Sequence, residues 1–269
     1  MKLLPGIGLV ASSARTIGTP TLQRPRTLAD LATILRSEAD PVFIAGGTDL
    51  CSAFNEGLAP ATLVSLDRVD VLRRVVHDGE HLRIGSGVTH HAGSADALVR
   101  AHLPGFAQAW ARIANVRVRG WATIGGNLMA RRTRYEMSIL LSALGARLHL
   151  VEPGGGTADI EPGALWDRAM APGTLLHHVA IPLRDTPHLD YDRGLRPRLT
   201  LAFCRRGAGA RAVLATEWLR PVMLELAPSE TAEMALAALP DSFADATATN
   251  WYLRRVGTVL LRRALERSA

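Results

Sequence analysis

Two glycine pairs constrain this chain more than any other feature. Each is entered through an apolar run and left through a polar residue. The first is Phe43-Ile44-Ala45-Gly46-Gly47-Thr48-Asp49-Leu50 and the second is Ala122-Thr123-Ile124-Gly125-Gly126-Asn127-Leu128. Glycine has no Cβ and reaches positive φ at little cost, so a glycine pair lets the backbone turn several N–H groups onto one anion. Thr48 and Asn127 add side-chain donors. Two such loops, one from each half of a fold, could grip both halves of a diphosphate without any lysine. A tight turn is the simpler use of a single pair. A branched side chain at Gly46 or Gly125 is expected to occupy the phosphate's space.

Hydrophobic spacing places these loops between regular elements. A helix is expected over Thr27–Glu38, capped by Thr27, with Leu28, Leu31, Ile34 and Leu35 as its apolar stripe. Strands are expected at Val42–Ala45, Thr62–Leu66, Leu82–Gly85, Arg147–Val151 and Leu175–Ile181. Helices are expected at Ala92–Ala101, Phe106–Asn115 and Tyr135–Leu144. From Thr200 the pattern becomes three strands (Thr200–Cys204, Arg211–Thr216, Val222–Leu226) and then two helices (Thr231–Leu239, Asn250–Arg267). That order suggests a separate α+β unit. Residues 1–19 read as an extension, with disorder its expected state. Residues 20–75 and 76–190 read as two lobes, and 191–269 as a C-terminal domain.

The extension carries Gly6, Gly8 and Ala11 at dinucleotide-fingerprint spacing, but only Met1–Leu4 precede them, too few for the strand that motif needs. Its short apolar stretch also loosely mimics a secretory signal, interrupted by Pro5, Gly6 and Gly8. The chain has no apolar run long enough to span a bilayer. Two cysteines, Cys51 and Cys204, are too few for a disulfide framework or a cluster site, which fits a cytoplasmic setting. The net charge is +6, carried almost entirely by arginine, with Lys2 the only lysine. Those arginines are spread out and aromatics are only 5%, so a nucleic-acid face is not expected. The adjacent pairs His90-His91 and His177-His178 point apart on a regular strand, so no metal site is expected. Leu253, Val256, Val259 and Leu260 are expected to form the buried face of the last helix.

With Ala45-Gly46-Gly47-Thr48-Asp49-Leu50 and Ala122-Thr123-Ile124-Gly125-Gly126-Asn127-Leu128 in place, the chain resembles the FAD-binding medium subunits of molybdenum hydroxylases. That group includes carbon monoxide, nicotine and xanthine dehydrogenases. The resemblance extends from Pro25–Leu31 through Leu82–Thr89 and Pro172–Leu176 to Asp245–Arg255 and Leu261–Leu265. It implies an α+β architecture: the two-lobed FAD-binding fold of the vanillyl-alcohol oxidase type, followed by a small α+β domain. It also implies that Ile44, Ala45, Gly46, Gly47, Thr48 and Asp49 hold the FAD diphosphate together with Thr123, Ile124, Gly125, Gly126 and Asn127. Thr89 and Arg119 would lie near the cofactor, and Leu175 and Leu176 would line its adenine side. Glu136 stands where the family has a ribityl-binding aspartate. No catalytic residue is assigned.

The implied activity is electron transfer through bound FAD, with molybdopterin and iron–sulfur groups on partner subunits and a small-molecule substrate or electron acceptor. Two segments depart from the family pattern. Arg131, Arg132 and Arg134, with Tyr135, replace small residues, and the acidic position of an Arg-x-x-Asp element is missing from Tyr191–Thr200. The three arginines are either cations near the flavin, which would raise its potential, or a solvated loop. The departures leave two alternatives open: a free-standing FAD oxidoreductase of secondary metabolism, or a degenerate, non-enzymatic relative that binds an acidic partner.

Overall fold

The computed structural model describes residues 19–193 and 198–268. The expected extension up to residue 18, its fingerprint glycines and the Gly194–Pro197 part of the second departure lie outside the described residues.

Three sheets are built in chain order. β1 (Thr21–Gln23), β2 (Pro41–Ile44) and β3 (Thr62–Ser65) form a parallel sheet with β3 in the middle. β4 (Val75–His77), β5 (His81–Gly85), β6 (Arg147–Val151), β7 (Thr157–Ile160) and β8 (Leu175–Pro182) form an antiparallel sheet in the order β4-β5-β8-β6-β7. β9 (His188–Asp192), β10 (Thr200–Arg206), β11 (Gly209–Ala215) and β12 (Val222–Leu226) form an antiparallel meander. The boundary expected after residue 190 runs through β9, whose backbone bonds all go to β10. The change of sheet lies between Pro182 and His188. In the same way β4 straddles the boundary expected between 75 and 76.

α1 (Leu28–Ser37) starts where its cap predicts. Thr27 accepts from the Asp30 N–H at 3.0 Å, and Asp30 accepts from the Thr27 N–H at 3.0 Å, a reciprocal capping box. α2 (Leu50–Asn55) follows the first glycine loop directly. The single helix expected over 92–101 is two, α3 (His90–Ala95) and α4 (Ala97–His102). Asp96 separates them, because its carboxylate caps the second by accepting from Leu98 and Val99. α5 (Pro104–Ala111) begins on a proline, whose missing N–H costs nothing in a first turn, and ends well before Asn115. α6 (Val116–Arg119), α7 (Ile124–Met129) and α8 (Met137–Ala143) complete the second lobe.

The second lobe's core lies between its sheet and these helices, around Ile84, Phe106, Trp110, Leu140, Leu148 and Val179. The meander is covered by α9 (Ala232–Ala237) and α10 (Asn250–Arg267). The buried stripe of α10 is Leu253, Gly257, Leu261 and Ala264, while Val259 is exposed. Gly257 is what shifts the stripe from the expected one: a Cβ there would lie 2.7 Å from Leu236, so the helix docks through its glycine.

One further expectation changes. Cys204 is buried and Cys51 is exposed. His177 and His178 do not point apart. A bulge sets both opposite His149, and their Nδ1 atoms are 2.8 Å from each other. His149 stacks on His178 at 4.8 Å between ring centroids. Even so, no group of three or more His, Cys, Asp or Glu among the described residues is positioned to hold a metal ion. No described helix is long and apolar enough to cross a membrane.

Candidate functional site

The two glycine loops meet. The first leaves the C-terminal end of β2 and the second opens α7, and they pack backbone to backbone. A Cβ on Gly46 would sit 1.9 Å from the carbonyl oxygen of Trp121. One on Gly125 would sit 2.6 Å from the Ser86 Cβ and 2.7 Å from its carbonyl oxygen. These two glycines therefore let one protein segment approach another. The expectation that their missing side chains leave room for a phosphate is replaced by this one. Gly126 differs: it is exposed, and the only atom near its added Cβ is Thr123 Oγ1 at 3.2 Å.

Between the loops and the C-terminal domain lies a cleft of about 980 Å³. Ile44, Ala45, Gly46, Gly47, Thr48 and Asp49 line it from the first lobe. Thr123, Gly125, Gly126, Asn127, Glu136, Leu175 and Leu176 line it from the second. Three expected residues are not on its wall. Ile124 is fully buried in the core. Thr89 caps α3 and bridges to Thr123 behind the loop. Arg119 reaches Ser94 Oγ at 3.4 Å. Trp121, which the sequence places next to the loop, turns its ring to solvent.

The loops are not equivalent donors. In the second, the Ile124 N–H donates to Val88, Gly125 to Ser86, Gly126 to Thr123 Oγ1 and Asn127 to the Thr123 carbonyl. Its backbone is spent on holding itself in place. In the first, the N–H groups of Gly46, Gly47, Thr48 and Asp49 have no acceptor among the described residues. Gly47, at φ 69°, supplies the left-handed step that turns this run. On the second loop's side the unmet groups are side chains. Ser86 Oγ and Asn127 Oδ1 are buried on the cleft wall with no hydrogen-bond partner among the described residues. Buried polar atoms without partners are uncommon and mark places where a ligand or water belongs.

Segment 130–136 forms a strap between α7 and α8. Tyr135 donates its hydroxyl to Asp49 Oδ1 at 2.6 Å, and Arg132 Nε approaches the same oxygen at 3.4 Å. Thr133 donates to the Glu217 carbonyl at 2.7 Å, tying the strap to the C-terminal domain. The Asp49 side chain is thus committed to the strap. Glu136 is committed too, accepting from Arg193 Nη1 at 3.0 Å. Burial pushes the Glu136 carboxyl up, against the opposing pull of Arg193. Burial, with the charge of Glu136, pushes the neighbouring Tyr191 phenol up as well, and its hydroxyl closes no hydrogen bond of good geometry among the described residues.

Sequence reasoning missed Ser86 and His90. Trp110 Nε1 donates to His90 Nδ1 at 2.7 Å, which leaves the imidazole proton on Nε2. Burial, helped by the charge of Arg119, holds the His90 pKa down to about 4, so the ring on the cleft wall is neutral. No sequence signal marks this pair, because its partners are 20 residues apart.

The family described as the FAD binding domain in molybdopterin dehydrogenase matches residues 16–184. This chain belongs to that family. It is 32% identical over 179 residues to the carbon monoxide dehydrogenase medium chain of Afipia carboxidovorans, a match covering 64% of this chain and 61% of the relative. It is 27% identical over 166 residues to caffeine dehydrogenase subunit beta of a Pseudomonas strain, covering 60% and 56%. The matched regions thus span less than two thirds of these relatives. In structure, a chain of reconstituted CO dehydrogenase from Oligotropha carboxidovorans superposes with a TM-score of 0.80 at 26% identity, covering 93% of this chain and 97% of that one. The family's cofactor is FAD, and the cleft fits it. Four unmet backbone donors and two orphaned polar side chains suit a dinucleotide's phosphates and sugars, and Leu175 and Leu176 offer an apolar wall.

Proposed function

We propose that this chain is the flavin-carrying component of an oxidoreductase of the molybdenum-hydroxylase type, passing electrons through FAD held in the 980 Å³ cleft. The observation that carries this reading is the first loop's run of four N–H groups without acceptors, facing the buried, unpartnered Ser86 and Asn127 across one cleft. When bound, the flavin supplies the redox chemistry, and the protein supplies binding and orientation.

Gly46–Asp49 would hold the diphosphate, with the Ser86 hydroxyl as a further donor on the wall; the unpartnered Asn127 Oδ1 is an acceptor and would suit a sugar hydroxyl. Neutral His90 keeps an N–H donor at the wall. Leu175 and Leu176 exclude water from the adenine side. Glu136, fixed by Arg193, presents a carboxylate at the family's ribityl position.

Partner subunits carrying molybdopterin and iron–sulfur groups fit relatives that are themselves one chain of several, a medium chain and a subunit beta. With only two cysteines in its sequence, this chain has no ligand set for a cluster of its own. Cytoplasmic placement is supported by both cysteines being free. A free-standing flavoprotein is the second reading. It is favoured by the strap, which is tied to the chain's own Asp49 and Glu217 on the cleft wall.

The test is purification without added cofactor, then with it. The expected protein is yellow, releases FAD on denaturation and takes up one FAD per chain when depleted. A colourless protein that ignores added FAD would overturn both flavoprotein readings. Co-purification of molybdopterin and iron–sulfur subunits selects the first, and turnover by the isolated chain selects the second.

A further inference from the structure

The first glycine loop offers dipoles but no full charge, and its only ionisable side chain, Asp49, is an acid. A diphosphate carries two negative charges. With the second loop's N–H groups spent internally, counter-charge has to come from elsewhere on the wall. Three arginines line the cleft: Arg134, Arg193 and Arg198. Arg193 is already paired with Glu136.

The strap's arginines are sorted by their partners. Arg131 leaves α7 at φ 52°, and its Nη2 donates to the Trp166 carbonyl at 3.2 Å. Arg132 is held by Asp49. Arg134 has neither a carboxylate nor a carbonyl partner among the described residues. Its guanidinium lies 5.6 Å from the centroid of the Tyr135 ring, on the cleft wall. Tyr135 is the residue whose hydroxyl bonds the first loop at Asp49, 2.6 Å away. The strap therefore delivers Arg134 beside the loop whose backbone donors are unmet. Arg198 has no such tie to that loop.

We infer that Arg134 is the cationic partner of the diphosphate, completing an anion site whose neutral half is the Gly46–Asp49 backbone. Arg131 and Arg132 are structural, and Tyr135 is a positioning residue that sets the strap's distance from the loop. A guanidinium suits the role because it stays charged and offers a fork of donors to phosphate oxygens. This inference rests on the cleft being the FAD site.

The test compares Arg134→Gln, Arg134→Lys, Arg198→Gln and wild type for binding of FAD, ADP and riboflavin, each titrated into cofactor-depleted protein. ADP carries the diphosphate without the flavin, and riboflavin the flavin without phosphate. Arg134→Gln is expected to weaken FAD and ADP about 10- to 100-fold, the range for loss of a charge-assisted hydrogen bond. It should leave riboflavin unchanged and flatten the salt dependence of ADP binding. Arg134→Lys should recover part of the loss, and Arg198→Gln should bind ADP like wild type. Equal ADP binding by Arg134→Gln and wild type would overturn the inference, as would a matching loss for riboflavin. Unchanged melting temperatures in the variants separate a binding loss from unfolding. A wild-type chain that binds neither FAD nor ADP overturns the proposed cofactor site and this inference with it. FAD uptake that ignores Arg134 overturns this inference alone.

Discussion

Gly46→Ala separates two roles that glycine pairs can have. An added methyl carbon would stand 1.9 Å from the Trp121 carbonyl oxygen, 2.5 Å from its carbonyl carbon and 3.0 Å from the Ala122 nitrogen. All three are backbone atoms, so no side-chain rotation relieves the clash. Non-bonded heavy atoms settle at about 3.5 to 4 Å, so the two loops would have to part by roughly 1.5 Å. Overpacking of this kind costs about 1 to 3 kcal/mol, and a backbone clash belongs at the upper end. At roughly 2 to 4 °C per kcal/mol for a chain of this size, 3 kcal/mol lowers the melting temperature by about 6 to 12 °C. The measurement is thermal unfolding of cofactor-depleted protein, followed by flavin titration. Gly126→Ala is the contrast. Its methyl meets only Thr123 Oγ1 at 3.2 Å, on an exposed residue of the cleft wall, so the protein should melt like wild type while flavin binding weakens. If Gly46→Ala melts like wild type and loses only flavin binding, the glycine faces the ligand after all and the loop-to-loop packing described above is wrong.

Two further outcomes follow from buried groups. Arg193→Gln strips the Glu136 carboxylate, already raised by burial, of its ionic partner, and should destabilise the chain by about 1 to 3 kcal/mol in denaturant titrations near neutral pH. The double variant with Glu136→Gln should recover most of the loss, and no recovery would mean that the two side chains do not act as a pair. His90 is held neutral, with its pKa lowered from 6.5 to about 4, so the unfolded chain binds the extra proton in that window. Stability from this group is therefore complete above pH 6.5 and is lost as pH falls toward 4, by about 3 kcal/mol in total. Melting curves of His90→Gln over the same range should show a shallower fall than wild type, and parallel curves would assign the pH dependence to other groups.

How far the sequence carried depended on the range of the forces involved. Thr27 and Asp30 could be read as a cap because both partners of the bond lie within one turn. The strand entering Gly46 and the stop at Pro182 were legible because hydrophobic runs and imino acids act locally. The boundary at β9 was not, because what assigns His188–Asp192 to the last sheet is pairing with β10, a strand that begins only at Thr200. The bulge that brings His177 beside His178 was hidden for a similar reason: it exists only in the register between β6 and β8.

The cleft shows the same division more sharply. Two glycine loops look alike as text, and thirteen of the sixteen residues named from them and from the resemblance stand on the wall. What the text could not show is that the loops have exchanged duties. Gly125 gives its N–H to Ser86, and Gly126 gives its N–H to Thr123, so the second loop is a brace. Gly46 lies against Trp121, and its loop keeps its donors open. A shared motif therefore specifies a shared backbone path, while the hydrogen bonds contributed by Ser86, Val88 and Thr123 decide which copy can still bind an anion. That division is why the strap matters. A chain whose second loop is already satisfied needs charge from a segment outside the motif, and Arg134, against the ring of the Tyr135 that bonds Asp49, stands where the family pattern has small residues.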